Sequence, residues 1–124
     1  MTTLRAAAEI AIGALYAAGA VFNAVYTLRH TTDFYGAFAD GAWLRPAERI
    51  IRNVVIPNGT LFTVLLIAFQ VTLAIVIFTR GDLVKAALIA GAAFSLVVAF
   101  FSSPAGIVGN AALAAIQFGL AIAH

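Results

Sequence analysis

The stretch that decides the fold is TLFTVLLIAFQVTLAIVIFTRGDLVKAALIAGAAFSLVVAFF, Thr60–Phe101. It holds an apolar run, a short polar break at Arg80-Gly81-Asp82, and a second apolar run. Each run approaches the ~20 residues that a helix needs to cross a hydrocarbon layer at about 1.5 Å per residue. A break of a few residues joins antiparallel neighbours, so the stretch predicts a transmembrane hairpin. Gly81 reads as the helix stop and Asp82 as the N-cap of the next helix.

Working outward, Ser102-Ser103-Pro104 is a tight break, with Ser103 capping and Pro104 in the first turn of a further apolar helix. On the other side, the chain before Thr60 contains one more long apolar run. The spacing predicts four spans, at about 6–28, 60–79, 83–101 and 105–123, in a single all-α membrane domain covering 1–124. Residues 29–59 then form a loop and an interfacial helix. Met1–Arg5 ahead of an apolar run, with small residues at Ala18-Gly19-Ala20, has features of a signal peptide. We expect it to be retained as the first span.

Composition agrees. Of 124 residues 64% are hydrophobic and 10% charged, too few charges to cover a soluble domain of this size but suited to lipid. The net charge is +2 and the basic residues form no tract, so nothing supports a nucleic-acid partner. The absence of cysteine excludes disulfides, thiolate nucleophiles, iron–sulfur ligation and covalent haem attachment. His30 and His124 fall where the spans place them on opposite sides, which disfavours paired haem ligation. No nucleophilic triad or phosphate-binding loop is present, and the expectation leans away from an enzyme. Asn58-Gly59-Thr60 matches the glycosylation acceptor pattern, but the glycine reads as serving the backbone.

The segment 29–44 carries Phe34, Tyr35, Phe38 and Trp43 among acids, as expected of an aromatic loop at headgroup level. In the helix that follows, Arg45, Glu48, Arg49 and Arg52 share one face and Ile50 and Ile51 fall largely opposite, making it amphipathic and interfacial. Pro57-Asn58-Gly59 is expected to kink or interrupt the chain before the second span. The aromatic loop and basic helix suit an amphiphile such as a quinone or an anionic lipid, while the simpler reading makes them an interfacial anchor. Counting basic residues sets Arg29, Arg45, Arg49 and Arg52 against Arg5, Arg80 and Lys85 on the side of both termini. Three of the first group sit on one amphipathic helix, so the count leaves the orientation open.

Polar side chains inside spans are costly and therefore informative. Glu9, Asn23, Gln70, Asn110 and Gln117 are the candidates, with Trp43, Arg49 and Arg52 at the membrane surface. Antiparallel packing predicts Glu9 level with the end of the fourth span near Gln117 and paired with Lys85 or Arg80. It puts Asn23 at the opposite end, near Asn58 and Asn110, and Gln70 close to the midplane. One reading makes these residues line a ligand or proton path. The simpler one has them hydrogen-bonding across helices. Gly13/Ala17, Ala87/Gly91 and Ala105/Gly109 have the spacing of close helix contacts.

In its order of features the chain resembles the DoxX-like superfamily of small bacterial four-helix membrane proteins. Leu4-Arg5 precedes a first helix containing Ile12-Gly13, a longer first loop follows, and the second helix closes at Arg80-Gly81. Asn110 in the fourth helix also fits. Many relatives carry an acid in the second helix where this chain has Gln70. The resemblance implies the bacterial inner membrane and an accessory or scaffold subunit of a larger complex linked to a quinone-dependent oxidoreductase. No intrinsic cofactor is expected, with quinone or lipid as bound molecules and other membrane subunits or further copies as partners. The alternative is a small binding protein or transporter for a lipophilic ligand.

Overall fold

The computed structural model describes residues 2–124, and every regular element among them is helical. Helix α1 is Thr2–Val25, followed by a 3₁₀ turn at Thr27–Arg29. Helices α2 (Thr31–Gly41) and α3 (Arg45–Ile50) lead into α4 (Gly59–Thr79), and α5 (Val84–Phe100) and α6 (Pro104–Ile122) complete the chain. Three helical stretches are long and apolar enough to cross a membrane: Thr3–Arg29, Arg45–Thr79 and Pro104–Ile122. The fourth, α5, is equally apolar but has 17 residues, about 25 Å of helix.

The four long helices alternate in direction. α1 packs along α4 and α5 along α6, and the two pairs meet through smaller α4–α5 and α1–α6 contacts. Large apolar side chains point outward on every one of them, including Leu15, Leu65, Leu96 and Val108.

Three expectations need correction. The segment 29–44 is not a loop, because α2 occupies most of it. Phe34, Tyr35, Phe38 and Ala39 recur at helical spacing and pack over Ile51, which outweighs the helix-weakening Gly36 and Gly41. Pro57 breaks the regular α pattern, as expected, but does not end the helical run: Arg45–Thr79 is one 35-residue helical stretch. Its strain is absorbed by a π turn at Ile51–Val55 and a 3₁₀ turn at Ile56–Asn58, where the missing proline N–H is accommodated. At the α4–α5 turn the left-handed residue is Arg80 (φ 57°), not Gly81, and Leu83 stands at the N-cap without a side-chain cap from Asp82. A non-glycine residue there costs roughly 1–2 kcal/mol; the same residue makes the ion pair described below. The other break is as expected: Ser103 accepts from the Gly106 N–H at 3.3 Å, with Pro104 in the first turn.

Buried polar side chains join the helices at three levels. At the level of the α4–α5 turn, Glu9 is fully buried. Arg80 Nη2 lies 2.7 Å from Oε1, off the direction of a hydrogen bond, and His124 Nε2 lies 2.7 Å from Oε2. Arg5 Nε stands 3.9 Å away, and its Nη1 donates to the Ala123 carbonyl at 2.6 Å. Two turns further along α1, the Tyr16 hydroxyl donates to Gln117 Oε1 at 2.6 Å, and Gln117 Nε2 donates to Ser95 Oγ at 2.9 Å. The third level is Asn23, described with the site below. Between the first two, Ile12, Leu73, Ile77, Val84 and Leu88 form the tightest apolar core.

Gly91 makes the middle level possible. A Cβ there would overlap Gln117 Oε1 and lie 2.5 Å from the Tyr16 hydroxyl. At Gly109 a Cβ meets nothing within 4 Å. Gly91→Ala should therefore destabilise the protein by about 1–3 kcal/mol through overpacking, read as a lower unfolding midpoint in detergent. Gly109→Ala, at a freely exposed helical site, should leave the midpoint unchanged or raise it by up to about 1 kcal/mol.

Candidate functional site

Packing is unequal along the bundle. The end that carries Glu9 is filled, while towards α2 and α3 the helix pairs part and leave a cavity of about 610 Å³. Its walls come from α1, α4 and α5, and its roof from α2, the end of α3 and the π turn. Phe69 and Phe94, with ring centroids 4.9 Å apart, form the inner wall, and Tyr16 meets Phe69 edge-on from the filled side. Leu65 and Val97 line the cavity and are also exposed, so its rim reaches the outer face between α4 and α5. A space of this size matches the pockets that enclose a small organic ligand.

Among the described residues no charged side chain lines the cavity, and its polar groups are few. The Tyr35 hydroxyl is tied to Thr63 Oγ1 at 2.8 Å, and Thr63 in turn donates to the Gly59 carbonyl at 2.7 Å. Burial pushes the Tyr35 phenol above its ordinary pKa, and the bond to Thr63 partly opposes this. Opposite it, Asn23 and Gln70 form an amide pair. The Thr27 hydroxyl donates to Asn23 Oδ1 at 2.7 Å, and Asn23 Nδ2 donates to Gln70 Oε1 at 2.8 Å. Thr27 is fully buried and Asn23 nearly so. Gly19 gives the Gln70 amide its room, since a Cβ there would lie 2.7 Å from Nε2.

Of the residues singled out from the sequence, Asn23 and Gln70 come together in the cavity wall. Asn23 is level with Gln70 rather than with Asn58 because the first turns of α4 stand above the end of α1, against α2, where Gly59 meets Thr31. Asn58 bonds its own helix at the Val54 carbonyl, and Asn110 does so at the Gly106 carbonyl. Glu9 lies at the far end with Arg80, one of its two expected partners, and with His124. Gln117 sits in the middle of the bundle with Tyr16.

The surface candidates lie outside the cavity wall. Trp43 is 66% exposed, and its backbone N–H donates to the Ser102 carbonyl at 3.2 Å. Arg52 is held at 2.7 Å by Asp40 and at 3.0 Å by Glu48, hydrogen bonds that raise its pKa above the ordinary guanidinium value. Arg49 is exposed, with no carboxylate partner among the described residues.

The aromatic and amide lining of the cavity was only partly foreseen, and Thr27, Tyr16 and Ser95 were not singled out. One signal was available: Glu9, Tyr16 and Asn23 are spaced by seven, which places them along one face of α1. Removing the hydroxyl that orients the amide pair, with Thr27→Val, leaves Asn23 Oδ1 without its donor. The expected cost is about 1–2 kcal/mol, measured as a lower unfolding midpoint in detergent with the helical circular dichroism unchanged. Compared with protein-family models, curated proteins and solved structures, this chain shows no match.

Proposed function

We propose that the protein is a four-span membrane protein that holds a lipophilic molecule in the cavity beneath α2. The observation that carries this reading is the cavity itself, large and aromatic-lined, with one amide pair and the Tyr35 hydroxyl for polarity. In water such a surface would be costly to expose, whereas in lipid an apolar molecule of moderate size enters it from the side. The rim at Leu65 and Val97 offers that route. Four crossings are supported by the alternation of the helices and by α5 lying alongside α6 over its length. A thinner local bilayer or flanking residues make up its shortfall. The resemblance to the DoxX-like superfamily, and with it a bacterial inner-membrane setting, belongs to this proposal and rests on the order of features in the sequence alone.

A second reading, as an accessory subunit of a larger membrane complex, draws on α6. Ala105, Gly109, Ala112 and Gly119 face outward there, and a Cβ at either glycine meets nothing within 4 Å. Small residues let another helix approach closely. Isolation from native membrane as a bare monomer would count against this reading.

The cavity reading is tested by extracting the protein in mild detergent and identifying what remains bound by native mass spectrometry. The expected result is about one retained lipophile per chain, with retention reduced in Leu66→Trp, whose indole projects into the space and obstructs it, while the unfolding midpoint stays within a few degrees. Equal retention by the variant would contradict the proposal.

A further inference from the structure

The cavity lining carries more information than its size. Three of its polar groups already have partners, and the directions of those bonds determine what is left over. Thr27 donates to Asn23 Oδ1, which turns Asn23 Nδ2 toward Gln70, so that Gln70 Oε1 accepts. The amide nitrogen of Gln70 is thereby turned away from Asn23 and lies over Gly19, where both residues line the cavity. Among the described residues it has no acceptor. The Tyr35 hydroxyl is engaged with Thr63, and Thr63 with the Gly59 carbonyl. The wall is therefore neutral and has N–H donors to spare, concentrated at Gln70, while its amide oxygens are already accepting.

From this we propose that the ligand is a neutral lipophile bearing an acceptor oxygen, a carbonyl or an ester or ether oxygen, that accepts from Gln70 Nε2. The inference rests on the cavity being a ligand site and adds the ligand's polarity and orientation. A charged headgroup would find no counter-charge along this wall and would pay its desolvation unrelieved. A pure hydrocarbon would fill the volume but leave the amide N–H groups without a partner in a dry site. An acceptor oxygen satisfies them, and the body of the molecule then extends along Phe69 and Phe94 toward the rim at Leu65 and Val97. Thr27 and Asn23 act as positioning residues because they orient the Gln70 amide. Gly19 acts by leaving it space.

The test uses two planar probes of nearly the same shape, 9-fluorenone and fluorene, which differ by one carbonyl. Both are titrated calorimetrically into the full chain in nanodiscs and corrected against protein-free nanodiscs. Fluorenone should bind roughly three- to tenfold more tightly, the worth of one net hydrogen bond. Its carbonyl infrared band should move to lower wavenumber in the complex. Gln70→Leu, with fluorene binding retained as evidence of an intact cavity, should remove both the preference and the shift. Equal affinities for the two probes in the wild type, or a preference that survives Gln70→Leu, would overturn the assignment while leaving the cavity as a ligand site. Failure of both probes to bind the wild type would overturn the ligand site as well.

Discussion

The structure depends on what α1 must do with its polar side chains. Glu9, Tyr16 and Asn23 lie on one face, and in lipid each must be satisfied by another part of the chain, because no water is available. Glu9 takes Arg80 from the α4–α5 turn and His124 beyond α6, Tyr16 takes Gln117 from α6, and Asn23 takes Gln70 from α4. Each bond fixes a register. With all three made, α1 is locked against α4 and α6 and the hairpin of α5 and α6 is aligned to it. Glu9 is the most demanding member, since it is fully buried while Arg80 and His124 are only partly so.

The same seam explains why the bundle is closed at one end and open at the other. Around Glu9 and Tyr16 the helices are drawn together by ionic and hydroxyl contacts, and Gly91 allows Gln117 and Tyr16 to meet without a Cβ between them. Near Asn23 the contact runs only between α1 and α4, and α5 contributes Phe94 and Val97 but no polar partner. The helix pairs are free to part there, and α2 closes that end beyond the last turn of α1. That roof is packed on the π turn through Tyr35, Ala39 and Ile51, and Arg52 bridges Asp40 and Glu48 on its exposed side.

The sequence made part of this legible for a physical reason. Hydropathy sets the long helices because a span must satisfy its backbone internally, and that requirement leaves a plain mark in composition. Glu9, Asn23, Gln70 and Gln117 stood out because polar groups within a span are expensive. Tyr16 and Ser95 did not, since hydroxyl side chains are common in membrane helices and only their partners distinguish them. Helix α2 was hidden by Gly36, Gly41 and its aromatic content, and becomes helical through packing on Ile51. The left-handed Arg80 was hidden because Gly81 beside it is the usual choice, and only the structure shows Arg80 in that conformation with its guanidinium on Glu9. The cavity arises where three helices and a roof fail to fill space, and it is set by register and crossing geometry rather than by any local run of residues.

The most direct test is an experimental structure of the protein isolated from its membrane and placed in lipid nanodiscs. A closed Glu9 end, four helices crossing the disc, and elongated density beneath α2 with its polar end against Gln70 would agree with the proposed function. Side chains of Phe69, Phe94 and Val97 collapsed into the space, with no density between α1, α4 and α5, would contradict it.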